Sequence, residues 1–323
     1  MDKLLCGVDL GGSKLSAGLF RPDGTLIEKR LIHSHISMDE EGITRSVVDL
    51  INNLLNSLGI GEDSLAGIGI GVAGHVNFHK GIIITASNFK TSFCNYPLKE
   101  KIAASFNVPV YMDNDANAQA LGELRFGDNR NYSHIVFLTI STGVGCGIII
   151  DRKLIRGMTG TAGEIGHTII DPGSELQCTC GNYGCLMALS SGKALPQLYD
   201  RYLAQGMTSS IGINRENVGT LDGIIIKKGV DSGDGISKRV LEDSADAIGT
   251  GLYNLFQLLN PEVFIIGGGL INLGYPYLER IEKRYLSLVK NMMYDKVDFK
   301  LPSHGNDTGL LGAAALILEE NNE

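Results

Sequence analysis

Three cysteines fall within eight residues, as Cys178-x-Cys180-x4-Cys185, and His167 precedes Cys178 by eleven positions. Thiolates and a neutral imidazole are the ligands that Zn²⁺ takes in tetrahedral sites, and four of them complete its shell. A zinc ion enclosed in this way keeps no position for water, so its role is structural rather than catalytic. A disulfide or an iron–sulfur cluster is the competing use of three thiols. The nearby histidine, in a chain whose first residues lack the shape of a signal peptide, favours zinc.

A second chemistry is written in two glycine-rich turns, Asp9-Leu10-Gly11-Gly12-Ser13 and Ser141-Thr142-Gly143-Val144-Gly145. A hairpin tip of this kind aims several backbone N–H groups at one spot and makes an anion-binding concavity. Glycine lets a phosphate approach without a Cβ in the way. One such tip alone reads as a plain β-turn. Two tips, with acidic and hydroxyl side chains placed alike, suggest a grip on one polyphosphate, with Asp9 organising Mg²⁺ directly or through water. Neither tip is a G-x-x-x-x-G-K-[ST] loop, and neither is a G-x-G-x-x-G that opens a helix.

A third group is Asp113-Asn114-Asp115, at the end of an apolar run. Asp115 reads locally as a helix cap. At a strand end beside a cleft it also reads as a carboxylate able to take a proton from a hydroxyl.

The elements that must position these residues come from periodicity. Residues 3–33 read as a meander of three strands: residues 4–9, 14–20 and 26–32, with turns at Gly11-Gly12-Ser13 and Pro22-Asp23-Gly24. An amphipathic helix follows, with Ile43, Val47, Leu50, Ile51, Leu54 and Leu58 on one face. Strands are expected at 65–72 and 108–112. The meander then recurs: a strand at 135–140, the second glycine-rich turn, a strand at 146–150 and a charged turn at Asp151-Arg152-Lys153. Helices near 237–259, 275–291 and 308–320 and a strand at 263–266 complete the chain.

Bulk properties set the class. With 323 residues, 43% hydrophobic and 20% charged, the chain is an ordinary globular protein of two domains rather than one. A net charge of -8 argues against a general nucleic-acid binder, though not against a single nucleotide held by backbone amides and a metal. No apolar run approaches the roughly 18 residues of a membrane span, and a cytoplasmic location is expected.

The motifs together resemble the ROK (repressor–ORF–kinase) family over essentially the whole chain. Asp9-Leu10-Gly11-Gly12-Ser13-Lys14 is similar to the family's first phosphate segment, with Ser13 where Thr is usual, and residues 138–147 to its second. Gly267-Gly268-Gly269 resembles the segment bordering adenosine, and residues 309–315 the closing helix. The most specific match is Gly163-Glu164-Ile165-Gly166-His167 followed by Cys178-Thr179-Cys180-Gly181-Asn182-Tyr183-Gly184-Cys185-Leu186. The resemblance implies an α/β, actin/hexokinase-like (ribonuclease H-like) duplicated two-domain fold with an interdomain cleft. The expected border lies between residues 114 and 115, with residues 305–323 returning to the first domain.

The resemblance further implies ATP, Mg²⁺ and structural Zn²⁺ as cofactors. Asp115 becomes the catalytic base, and Asn114, Asp115, Glu164, His167, Asn88 and Gly74 become sugar contacts. His167 would serve zinc through one ring nitrogen and sugar through the other. The expected activity is ATP-dependent phosphorylation of glucose or a related hexose at its 6-hydroxyl, in a homodimer with no nucleic-acid or membrane partner. N-acetylmannosamine, N-acetylglucosamine, allose or fructose is the alternative substrate. A sugar-responsive repressor would need a DNA-binding segment before Asp9, for which this sequence leaves no room, and a sugar-binding regulator without catalysis is the remaining class. One residue departs from the pattern: the family follows Gly-Cys-Leu with a sugar-binding Glu, and this chain has Met187. A hydroxyl left buried and unpaired there would cost about 1–3 kcal/mol, enough to shift preference among hexoses by roughly 5- to 150-fold.

Overall fold

The computed structural model describes residues 2–12, 14–33, 38–86, 89, 93–289 and 297–319. Two compact units divide the chain: Met1–Phe137, Gly147–Gly163 and Pro302–Glu323 form the first, and Leu138–Cys146 and Glu164–Leu301 the second. In chain order the elements begin with β1 (Leu4–Leu10), β2 (Leu15–Phe20), β3 (Leu26–Ile32), α1 (Glu40–Leu58) and β4 (Leu65–Val72). Then come β5 (His75–Asn77), β6 (Ile82–Ala86), β7 (Phe93–Tyr96), α2 (Leu98–Ala103), β8 (Val110–Asn114) and α3 (Asp115–Phe126). β9 (Ile135–Ile140), β10 (Val144–Ile150) and β11 (Lys153–Leu154) follow. The remainder is α4 (Leu186–Ser190), α5 (Leu195–Ala204), α6 (Gly223–Ser232), α7 (Gly235–Leu259), β12 (Val263–Gly267), α8 (Tyr275–Leu288), β13 (Asp298–Lys300) and α9 (Thr308–Glu319).

Two five-stranded sheets share one plan, β3-β2-β1-β4-β8 and β11-β10-β9-β12-β13. In the first, β1 pairs antiparallel with β2 and parallel with β4, and β4 pairs parallel with β8. The recurrence of a meander followed by two further strands is the duplicated, ribonuclease H-like plan of actin/hexokinase-like proteins. No helix among the described residues is long and apolar enough to cross a membrane.

β1 and β4 are buried nearly throughout, because both faces of the sheet are covered. On one face α1 lays down Ile43, Val47, Leu50, Ile51 and Leu54, starting from a cap in which Asp39 accepts the Gly42 N–H and ending at left-handed Gly59. Leu58, expected on that apolar face, is 37% exposed, since it stands in the final turn beyond the core. On the other face lies α9. A methyl on Gly69 would sit 1.8 Å from the Ala313 carbonyl oxygen, so helix and strand meet backbone to backbone. α3 meets α9 in the same way, with a methyl on Gly122 falling 2.8 Å from the Gly312 Cα. This helix-to-helix contact places α3 inside the first unit, so the expected border at residues 114 and 115 falls within that unit rather than at its edge.

The strand expected at 108–112 is Val110–Asn114, two residues later. The three-stranded sheet β5-β6-β7 has no counterpart in the sequence reading. Its strands are three to five residues long and half-exposed, too short to show a period. α6 opens Gly-Ile-Ile-Ile; Asp222 caps it and left-handed Gly233 ends it.

Candidate functional site

The first unit gathers its expected residues at the carboxyl ends of its parallel strands. Asp9, Gly71 and Asp113 lie in register across β1, β4 and β8. Asp9 is 9% exposed, and Lys14 Nζ stands 3.2 Å from its Oδ2. Burial holds the Asp9 carboxyl above its ordinary pKa, and the Lys14 charge draws it back. Gly11 N–H donates to the Lys14 carbonyl across the turn, at 3.0 Å. Gly12 sits in that turn, half-buried, while Ser13 lies outside the described residues. Gly309, at the start of α9, lies against Asp9: a methyl there would be 2.8 Å from Asp9 Oδ2.

The same strand ends hold the expected sugar residues of this unit. Ala73 N–H donates to the Leu10 carbonyl at 3.0 Å, which ties the strand end before Gly74 to the first turn. Asn114 Nδ2 donates to the Gly74 carbonyl, also at 3.0 Å. Asn114, not Asp115, caps α3: its Oδ1 accepts from Ala116 N–H at 2.9 Å and from Asn117 N–H at 3.4 Å. The reading of Asp115 as the cap is corrected accordingly. Asp115 is the first helical residue, half-buried, with its Oδ1 accepting from Ala116 N–H at 2.9 Å. Asn88 lies outside the described residues. Sequence reasoning missed Asp113 as a participant. It is completely buried and accepts from Asn114 N–H at 2.7 Å and Asn117 Nδ2 at 3.0 Å. The Asp-Asn-Asp run displays it, but only burial tells it from its neighbours.

The second unit gathers three expected groups. The turn Ser141–Gly145 is closed by Ser141 N–H donating to the Gly143 carbonyl at 2.8 Å, which leaves Thr142 exposed and Gly143 and Gly145 half-buried. Gly267 ends β12, and Gly268 follows at φ 94° with its α-carbon so near β9 that a methyl would meet the Ile140 carbonyl oxygen at 2.3 Å. Gly269 is next, facing Ser141 Oγ. The expected phosphate turn and adenosine segment are therefore neighbours.

The third group is the thiol loop. Glu164 and His167 flank a single 3₁₀ turn, and residues 169–185 fold back so that Ile169 bridges Cys185 and Gln177 bridges Tyr183. Cys178 N–H donates to the Asn182 carbonyl at 2.8 Å, forming a tight knuckle around Cys180. His167 Nδ1 lies 3.5 Å from Cys178 Sγ, and Cys180 Sγ lies 3.8 Å from Cys185 Sγ. Zn–S bonds of about 2.3 Å and Zn–N bonds of about 2.0–2.1 Å give tetrahedral edges of about 3.8 Å between sulfurs and about 3.5 Å between sulfur and nitrogen. Both separations match such edges, and His167, Cys178 and Cys180 gather within 4.8 Å of one another with Cys185 beside Cys180, whereas sulfurs joined in a disulfide stand about 2.05 Å apart. Without metal, burial pushes the Cys185 thiol up to about 12, and the Asn182 N–H lowers Cys180. His167 turns its other nitrogen, Nε2, towards Glu164, whose carboxylate is 4.0 Å away.

Met187 joins these groups. A methyl on Gly143 would meet its sulfur at 3.3 Å, and one on Gly166 would meet its Cβ at 3.5 Å. Its side chain also packs on Cys178, Cys185 and Ala188.

Comparisons with known proteins agree on the family. The family model described as the ROK family matches residues 5–320. A glucokinase of Streptomyces coelicolor is 34% identical over 328 residues, covering 98% of both chains. A xylose repressor of Caldicellulosiruptor bescii is 35% identical over 279 residues, 86% of this chain and 69% of its own. The crystal structure of a ROK family glucokinase from Streptomyces griseus, in complex with glucose and AMPPNP, superposes with a TM-score of 0.81 at 30% identity, covering 97% of this chain and 98% of that one.

Proposed function

The chain belongs to the ROK family, and from that premise we propose that it is an ATP-dependent hexose kinase transferring the γ-phosphoryl group to the sugar's 6-hydroxyl. The observation that carries this reading is the pair of carboxylates at the strand ends of the first unit. Asp9 is buried beside the first glycine-rich turn, and Asp115 stands at the head of α3 with its helix capped by another residue. Phosphoryl transfer asks for alignment, charge neutralisation and a carboxylate near the attacking hydroxyl, and little covalent chemistry. Asp115 accepts the hydroxyl proton as the sugar oxygen bonds to phosphorus and the bond to the departing ADP oxygen breaks. Asp9, paired with Lys14, would hold Mg²⁺, which would supply neutralisation of the phosphate charge.

In this reading Gly11, Gly12, Ser13, Lys14, Thr142, Gly143 and Gly145 take phosphate, and Gly267–Gly269 border adenosine. Gly309 sets the space around Asp9. Gly309→Ala is expected to raise the Mg–ATP concentration for half-saturation by about 5- to 50-fold, since the new methyl displaces the Asp9 carboxylate. Isothermal titration with a non-hydrolysable ATP analogue checks this, and unchanged affinity refutes it.

His167, Cys178, Cys180 and Cys185 hold a structural zinc. Asn114, Gly74, Glu164 and His167, with Asn88, hold the sugar. Glucose or a close relative is the substrate class, with N-acetylated hexosamines, allose and fructose as alternatives, because Met187 offers no strong acceptor where the family's Glu stands. A coupled assay of ADP release against hexoses and hexosamines is expected to single out one sugar. Silence across the panel, with sugar binding intact by titration, would favour the second reading, a sugar-binding regulator without catalysis. That reading draws on the likeness to xylose repressors and on Met187.

A further inference from the structure

Arg156 takes no part in the chemistry above, yet it occupies the centre of a buried polar cluster in the first unit. Its Nε donates to Asp113 Oδ2 at 2.7 Å. Its Nη2 donates to Glu319, the last residue of α9. The guanidinium lies over the Phe78 ring, with Cζ 3.9 Å from the ring centre. The side chain is 15% exposed and the Asp113 side chain is fully buried. Asp113 uses its remaining oxygen to fix Asn114 N–H and Asn117 Nδ2. Asn114 in turn caps α3 and reaches the Gly74 carbonyl. One planar cation thus holds a single buried carboxylate that fixes the Asn114 backbone N–H before Asp115 and the Asn117 side chain after it.

We propose that Arg156 is a positioning residue for the phosphoryl-transfer step: the Arg156–Asp113 pair, braced by Glu319 and Phe78, sets the attitude of Asp115 towards the attacking hydroxyl. The inference rests on the reading of Asp115 as general base. A guanidinium fits this task because it binds two carboxylates in fixed directions and lies flat on an aromatic ring, neither of which an ammonium does. A misplacement of about 1 Å at a reacting group lowers a rate by on the order of 100-fold.

The test compares Arg156→Lys, Glu319→Gln and Asp115→Ala with the parent protein in a coupled ADP assay. Arg156→Lys keeps the charge opposite Asp113 and is expected to fold. Its kcat should fall about 10- to 100-fold, with half-saturation for sugar and Mg–ATP changed less than about twofold. Its solvent deuterium isotope effect on kcat should exceed the parent's, because proton transfer to a misaligned Asp115 becomes limiting. Glu319→Gln should lose about two- to fivefold in kcat, in the same pattern. A folded Arg156→Lys with parental kcat and isotope effect overturns the inference, as does a loss confined to half-saturation values. If Arg156→Lys does not fold, Glu319→Gln decides: unchanged kcat overturns the inference, and a selective fall supports it. Full turnover by Asp115→Ala instead overturns the general-base reading, whatever Arg156 does.

Discussion

Asp115→Ala is expected to lower kcat by about 10²- to 10⁴-fold, the range of a lost general base, while leaving the fold in place. The structure separates the two effects. Asn114 does the capping of α3, so removing the Asp115 carboxylate costs helix stability little. The hydrogen bonds of Asn114 to Gly74 and of Asp113 to Asn117 do not involve the Asp115 side chain. Zinc content and melting temperature should therefore match the parent, and sugar affinity should change by less than about tenfold. Asn114→Ala is the useful contrast, since it removes the cap at a cost of about 1 kcal/mol and the link to Gly74 as well. An Asp115→Ala protein that keeps a tenth or more of its turnover would remove this residue from the base role.

Loss of the metal is expected to be the second large effect. Cys185→Ser should take zinc from about one ion per chain to near zero by metal analysis and raise the sugar concentration for half-saturation by about 10- to 100-fold. The reason lies in how little else holds the loop. The apolar residues packed around the thiols are Ala188, Leu176 and Met187, and the rest of the loop is turns and isolated bridges. In the proposed site the metal would set the His167 ring through Nδ1, which lies beside Cys178, while Nε2 faces Glu164. Effects on Mg–ATP should be smaller, because Gly268 is seated by β9 rather than by the loop. A protein stripped of zinc that keeps parental sugar kinetics would refute the model.

The strand meanders and the spacing of the thiols are legible in the sequence because each depends on local order. Leu26–Ile32 and Leu65–Val72 have the bounds their apolar runs predict, and the thiol spacing needs no tertiary information. What stayed hidden depends on contacts between distant segments. Gly309 reads as an ordinary helix glycine until Asp9 is seen against it. Arg156 reads as a charge in a loop, because its partners Asp113 and Glu319 lie 43 and 163 residues away. α3 was assigned past the domain border because nothing local reveals that Gly122 rests on Gly312. The capping residue was missed by one position, since Asn and Asp both favour that place.

The order in which the chain is made gives α9 a further consequence. β4 ends at Val72, while the helix that covers its glycine face begins at Thr308. At translation rates of about 5–20 residues per second, β1 and β4 wait on the order of 10 to 50 seconds for that cover. During that interval the first unit carries an open apolar sheet face, while most of the second unit's segments emerge and fold. The contact of Gly309 with the Asp9 carboxylate forms only once α9 has reached the sheet.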